Sequence, residues 1–294
     1  MTNIFDGKKI RDEILADLKI KVGEMLEKPV LAVFWIGENQ VSGHYVSIKK
    51  KIAEDLGVSF DLIKMDADVS QEEVLERINK LNQDPHVKGI MTQIPLPDHL
   101  NQKEIIGAID PSKDIDGLRY CMEMESAYVP PVVMAVLEAI KRGCHSEVNA
   151  EESQRSFAGA QDDKVDSRDE MYELLNDKNI AVIGHGFLVG APLVRAIDGN
   201  VKSLSVADSN TDDISLLTEN ADIIISATGV AHIIKPEMVK EGVVLIDAGT
   251  SEISGELKGD IAPEAFKKAS YYTPVPGGIG PVTIAMLMKN LLNK

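Results

Sequence analysis

Apolar and polar positions alternate along this chain in two rhythms, one of about four residues and one of short unbroken apolar runs. Between 8 and 20, Ile10, Ile14 and Leu18 stand four apart among charged neighbours, which predicts an amphipathic helix led in by Asp6-Gly7. Val30–Ile36 is a continuous apolar run that closes on the turn-like Gly37-Glu38-Asn39 and reads as a buried strand. A helix near 43–56 follows, stopped by Gly57, and a second strand over 58–65. Ser70-Gln71-Glu72-Glu73 has the form of a capping box and opens a helix carrying Val74, Ile78 and Leu81. A third strand over 87–93 is broken by Pro95 and Pro97. Strand and helix in turn predict a parallel α/β sheet.

Past residue 100 the rhythm loosens. A short helical piece at 103–109 leads to the turn-rich Pro111-Ser112-Lys113-Asp114-Ile115-Asp116-Gly117, and Pro130-Pro131 opens an apolar helix through Ile140 with Gly143 as its expected C-cap. From 144 to about 170 the chain is polar and aperiodic, as in an inserted surface loop or a disordered excursion. A second α/β unit starts with Asn179–Ile183, and strand-like runs recur at 203–206, 223–226 and 243–246, the pattern of a dinucleotide fold. Pro274-Val275-Pro276-Gly277-Gly278-Ile279-Gly280-Pro281 precedes an apolar helix over 282–292, expected to pack back on the first domain.

A length of 294 residues suits two domains. The net charge of −16 argues against a general binder of nucleic acid or of anionic membranes. Two cysteines, Cys121 and Cys144, give no disulfide framework, and six scattered histidines give no metal-ligand spacing, so no metal site is expected. Without a signal-peptide h-region or an apolar run of spanning length, a cytoplasmic protein is expected.

Four stretches can carry chemistry. On the helix after the first strand, Tyr45 and Lys49 share a face, and a phenol beside a partly desolvated amine can move protons. A half-buried aromatic beside a snorkelling lysine has the same spacing. Gln93, at a strand end, could hold an amine without forming an ion pair. Asp114 and Asp116 lack further metal ligands, and a single carboxylate reading the N–H groups of a heterocycle is the better functional guess, against simple turn capping. Gly184-His185-Gly186-Phe187-Leu188-Val189-Gly190 lies between a β-rich run and a helix, where backbone N–H groups approach a pyrophosphate. Asp208, after the next strand, is placed to accept hydrogen bonds from an adenosine ribose, or is an ordinary solvated acid.

Together these stretches resemble the bifunctional methylenetetrahydrofolate dehydrogenase/methenyltetrahydrofolate cyclohydrolase family. The match runs in order through Phe5-Asp6-Gly7-Lys8, Gly37-Glu38-Asn39, Tyr45-Val46-x-x-Lys49, Gln93-Ile94-Pro95-Leu96-Pro97, Lys113-Asp114-Ile115-Asp116-Gly117, Val189-Gly190-x-Pro192, Gly259-Asp260 and the run 274–281. The resemblance implies a three-layer α/β catalytic domain, 1–120 completed by 275–294. A Rossmann-like NAD(P) domain, 121–274, would carry the polar insert 144–170. It implies Lys49 as general acid/base, Gln93 as its tuning partner, Tyr45 stacking on or orienting the folate and Asp116 on the pterin edge. Pro276, Gly277 and Gly278 would line the substrate site, and Gly184, His185, Gly186, Val189, Gly190, Asp208 and Ser209 the cofactor site. Tetrahydrofolate derivatives are the implied substrates, and a homodimer the implied assembly.

This chain departs from the family pattern in several places. His185-Gly186 stand where the family usually has Arg-Ser, and Asp208-Ser209 where it has His-Ser, which points from NADP toward NAD. The region 119–129 is shortened, and Val129-Pro130-Pro131 replaces Cys-Thr-Pro, so the dehydrogenase half is less secure than the cyclohydrolase half. The insert has no family counterpart. The rival readings are a cyclohydrolase with weakened or lost dehydrogenase activity, another two-domain Rossmann dehydrogenase, and a silent binding protein.

Overall fold

The computed structural model describes residues 2–37, 40–145 and 172–292. By its contacts the chain forms two compact units, Arg11–Pro131 with Ile284–Lys294, and Met1–Ile10 with Val132–Thr283.

The first unit is built on a three-stranded parallel sheet, order β3-β2-β4, with β2 (Val30–Ile36) central between β3 (Ser59–Met65) and β4 (Val87–Thr92). Its near-continuous apolar sequence follows from burial on both faces. Helix α1 (Gly7–Glu24) buries Ile14, Leu18 and Val22 at the spacing expected, and α2 (Gln40–Leu56) ends at Gly57, whose φ is +87°. The backbone N–H of Glu73 donates to Ser70 Oγ at 3.2 Å and starts α3 (Gln71–Gln83), which buries Val74, Ile78 and Leu81. These side chains join Phe34, Ile36 and Ile90 of the sheet and Ile105 of α4 (Gln102–Gly107) in one core. The end of the chain also belongs here. Asn290 Nδ2, on the last helix, α8 (Ile279–Leu292), donates to Ile115 O at 2.9 Å and Val129 O at 3.2 Å.

The second unit holds a six-stranded parallel sheet in the order β1-β11-β8-β7-β5-β6. Its strands are β1 (Asn3–Ile4), β5 (Asn179–Ile183), β6 (Ser203–Ala207), β7 (Ile223–Ser226), β8 (Val243–Asp247) and β11 (Ala269–Tyr272). β7 and β8 are buried along their whole length, as a central parallel strand must be. From β5 the chain crosses outward to β6 and then returns to β7 on the other side of β5, so the connection direction reverses between β5 and β7. In such sheets ligands bind beyond the carboxyl ends of the strands at this reversal.

Several expected details are corrected. The helix opened by Pro130-Pro131, α6 (Pro131–His145), runs past Gly143 instead of stopping there. A Cβ at Gly143 would stand 2.9 Å from Cδ1 of Tyr271, so this glycine serves close packing and not a cap. Cys144, read as the start of the polar stretch, is a buried residue of that helix; the remainder of the stretch, 146–171, lies outside the described residues. So do Glu38 and Asn39 of the turn after β2. β1, β11 and the hairpin β9 (Ser251–Ile253) with β10 (Glu256–Lys258) were not foreseen.

Candidate active site

In the first unit, β2 delivers the chain into α2, and α2 turns Lys49 toward the sheet, where its Nζ lies 3.4 Å from Met91 Sδ on β4. Side chains alternate along a strand, so Met91 and Gln93 point to the same side, and Lys49 reaches the face on which Gln93 sits. The main-chain N–H of Gln93 donates to Phe34 O at 2.9 Å and its Nε2 to Ile94 O at 3.0 Å. Its Oε1 is buried with no hydrogen-bond partner among the described residues. A buried acceptor without a partner is costly, and here it stands at the strand end. Tyr45, one helical turn before Lys49, is 45% exposed, enough for a ring face to meet a ligand.

The turn-rich loop 111–117 divides its charges sharply. Lys113 is buried, and its Nζ donates to Leu81 O, Asn82 O and Asp84 O at 2.9, 2.7 and 2.8 Å, capping the C-terminus of α3. Burial pushes its pKa below the usual lysine value, against the nearby Asp110 and Asp84 carboxylates. Asp114 is fully buried and accepts from the N–H groups of Leu118 (3.2 Å) and Arg119 (2.7 Å) at the start of α5 (Leu118–Cys121). Desolvation raises its pKa to about 6. Both are structural. Asp116 is half-buried and engaged in neither cap. Lys113→Met should destabilise the protein by about 2 kcal/mol, because three carbonyls lose a charged donor while a desolvated ammonium is also removed; urea unfolding at pH 7 measures it, and an unchanged midpoint would count against the capping role.

In the second unit, the glycine turn follows β5. Gly184 has φ +99°, and a Cβ on Gly190 would overlap Gly184 O, so the first turn of α7 (Gly190–Ile197) can close on the loop only with glycine at both places. Gly186 has open space around it, and His185, Phe187 and Leu188 are exposed. Val189, at the N-cap, offers no side-chain acceptor; in the first turn of α7 Ala191 N donates to Gly186 O and Leu193 N to Val189 O, both at 3.0 Å, and Pro192 has no N–H, so Gly190 N is the first-turn donor that could meet an anion. After β6, Asp208 and Ser209 are exposed. Asp208 Oδ1 accepts from Asn210 N at 2.9 Å and Thr211 Oγ1 at 3.4 Å, and its pKa lies below the usual carboxylate value, first through that Asn210 N–H and partly through His185. The turn 274–281 is also in this unit: Gly7 N donates to Gly277 O at 3.0 Å, Gly278 is buried and Pro276 is exposed.

Two buried carboxylates of this unit had been given no role. Asp247, at the end of β8, accepts from Ile261 N at 2.9 Å and Gly249 N at 3.2 Å, and desolvation together with Asp260 raises its pKa to about 7. Asp260 had only its place in the Gly259-Asp260 motif. An acid ending an all-apolar strand, as in Val243–Asp247, was the available signal. Among the described residues no cluster of three or more His, Cys, Asp or Glu could hold a metal ion, and no helix is long and apolar enough to cross a membrane.

An α/β architecture of two units, with a glycine turn at the switch point of the larger sheet and a lysine amine against an edge strand of the smaller one, defines a nucleotide-dependent enzyme. The tetrahydrofolate dehydrogenase/cyclohydrolase catalytic-domain model matches residues 5–116, and the NAD(P)-binding-domain model of the same family matches 168–294. The bifunctional protein FolD of Hydrogenobaculum sp. is 36% identical over 298 residues, covering 99% of this chain and 97% of that protein. The crystal structure of FolD from Campylobacter jejuni, a methylenetetrahydrofolate dehydrogenase/cyclohydrolase, is 33% identical with a TM-score of 0.84, covering 100% of this chain and 98% of that one. A Trypanosoma brucei FolD structure, complexed with NADP and an inhibitor, is 28% identical with a TM-score of 0.81, covering 99% and 96%. The chain belongs to the tetrahydrofolate dehydrogenase/cyclohydrolase family.

Proposed function

We infer that this chain oxidises 5,10-methylenetetrahydrofolate to the methenyl cation with NAD(P) and hydrolyses that cation to 10-formyltetrahydrofolate. The observation that carries the reading is Lys49 Nζ against Met91, on the sheet face of Gln93, whose Oε1 is buried and unbonded among the described residues. A nicotinamide, when bound, supplies the hydride acceptor. Lys49 handles the protons. Water adds to the methenyl carbon and the amine takes one of its protons; the C–N5 bond then breaks as N5 is protonated and the remaining hydroxyl proton leaves to form the formyl C=O, with one proton released overall. Gln93 orients the amine without fixing it as an ion-paired ammonium, Tyr45 faces the folate ring, and Asp116 accepts from the pterin N–H groups. Pro276, Gly277 and Gly278 offer backbone to the substrate, and Gly184, Gly186, Val189 and Gly190 cradle the pyrophosphate.

The exposed, ionised Asp208 favours NAD, since it accepts from a ribose diol and repels a 2′-phosphate. His185 and Gly186 withhold the guanidinium that a 2′-phosphate would want. The test follows reduced nicotinamide with methylenetetrahydrofolate and each cofactor, and separately the loss of methenyltetrahydrofolate absorbance. Turnover of neither folate refutes the function; hydrolysis alone identifies a cyclohydrolase that has lost the dehydrogenase step. Asp208→Asn should raise the NADP-to-NAD ratio of kcat/KM by about tenfold. A wild type that strongly prefers NADP would remove the assignment of Asp208.

A further inference from the structure

The loop that leaves β7 is held by one buried carboxylate. Asp260 is fully buried, and its Oδ2 accepts from Ser226 Oγ (2.9 Å), Thr228 N (2.6 Å), Thr228 Oγ1 (2.9 Å) and Gly229 N (3.3 Å). Its Oδ1 is buried with no hydrogen-bond partner among the described residues. The end of β8 closes over the same group, because a Cβ on Gly249 would overlap all three atoms of the Asp260 carboxyl. Only glycine lets the backbone come so near. The peptide oxygen of Asp260 accepts from Ile234 N at 3.1 Å, which fixes the residue itself.

Thr228 and Gly229 lie on the sheet edge where the glycine turn begins. Ala227 N donates to Ile183 O at 2.8 Å, and a Cβ on Gly184 would stand 2.6 Å from Ala227 O. The loop 227–229 and the turn after β5 are therefore the two walls of the crevice at the β5/β7 reversal. Loop N–H groups have no ladder to satisfy them, and an ionised acceptor makes stronger hydrogen bonds than a neutral one. A buried carboxylate is expensive, and three of this one's four hydrogen bonds go to a single loop, the fourth to Ser226 at the end of β7.

We propose that Asp260 is a positioning residue of the dinucleotide site, fixing loop 227–229 against the glycine turn and so setting the geometry of the crevice that receives the nicotinamide half of the cofactor. The proposal rests on the reading of 184–190 as the dinucleotide turn.

Asp260→Asn keeps the shape of the group but removes its charge and replaces one oxygen by a donor. Fluorescence titration with NADH and NADPH, without folate, should give a Kd raised about tenfold or more. Hydrolysis of methenyltetrahydrofolate consumes no nicotinamide, and its kcat should stay within about twofold of wild type. A folded variant with unchanged Kd, or one losing hydrolysis and binding alike, overturns the proposal. Should Asp260→Asn fail to fold, Ser226→Ala decides, since it deletes one of the four donors while leaving the carboxylate. Its Kd should rise about threefold, and an unchanged Kd overturns the proposal. A wild type that binds neither dinucleotide removes the cofactor reading and the positioning role together. Wild-type binding that Asp260→Asn leaves intact removes the positioning role alone.

Discussion

Lys49→Met is expected to slow the hydrolysis of methenyltetrahydrofolate by about 10²- to 10⁴-fold, the range general acid–base catalysis commonly supplies. Methionine fills much the same volume beside Met91 and keeps the apolar stem that α2 lays on β4, so the fold should survive the change. What it removes is the amine that contacts that strand face. The loss should therefore fall on kcat while the substrate KM moves little. Hydride transfer needs no proton from Lys49, and dehydrogenation should be less affected than hydrolysis. Stopped-flow decay of methenyl absorbance with saturating substrate measures the first effect, and reduced-nicotinamide formation the second. Undiminished hydrolysis would exclude Lys49 as the acid/base and return it to a snorkelling lysine beside a packed aromatic.

The first unit was legible because its signals are local. A continuous apolar run fixes β2, Ser70 begins α3 and Gly57 ends α2, and each of these needs only neighbours in sequence. The second sheet was read where strands are long and apolar, as in β5, β7 and β8. β1 was missed because two residues carry no periodicity; Asn3 and Ile4 become a strand only by pairing with Tyr271 and Tyr272. The β9–β10 hairpin was missed because its three-residue strands are largely exposed and show no alternation; its turn residues, Ser254 and Gly255, both have positive φ. Gly143 looked like a cap because the Tyr271 ring that requires it comes from far along the chain. The same limit applies to the site. The residues left Asp114 and Asp116 open and only the family resemblance singled out Asp116; neither could say why Lys113 and Asp114 are occupied, since the carbonyls of α3 and the N–H groups of α5 take them. Asp260 stayed without a role because its four donors lie some thirty residues upstream.

Replacing Asp247 by Asn should flatten the pH dependence of stability in the second unit. The carboxyl of an unfolded chain titrates near 4, whereas desolvation and the facing Asp260 hold the folded one at about 7. Between these values the folded chain keeps a proton that the unfolded chain has released. The contribution of Asp247 is therefore full below pH 4 and is lost as pH rises through 7. From pH 5 to pH 8 the wild type should lose about 3 kcal/mol through this group. His232, Glu256 and Lys258 line the cavity of about 460 Å³ that Asp247 also lines. Asparagine cannot ionise, and it offers one oxygen to Ile261 N and Gly249 N where the acid offers two. It should cost some stability at pH 5, by an amount that does not change with pH, and the variant should overtake or approach the wild type at pH 8. Urea unfolding at the two pH values, followed by a probe in the second unit, reads the difference directly. Asp114, with its pKa raised to about 6 in the first unit, adds a slope of the same sign in both proteins and cancels in the comparison. Equal pH sensitivity in wild type and variant would mean that Asp247 is ionised across this range, with Asp260 facing a second buried charge instead of a neutral acid.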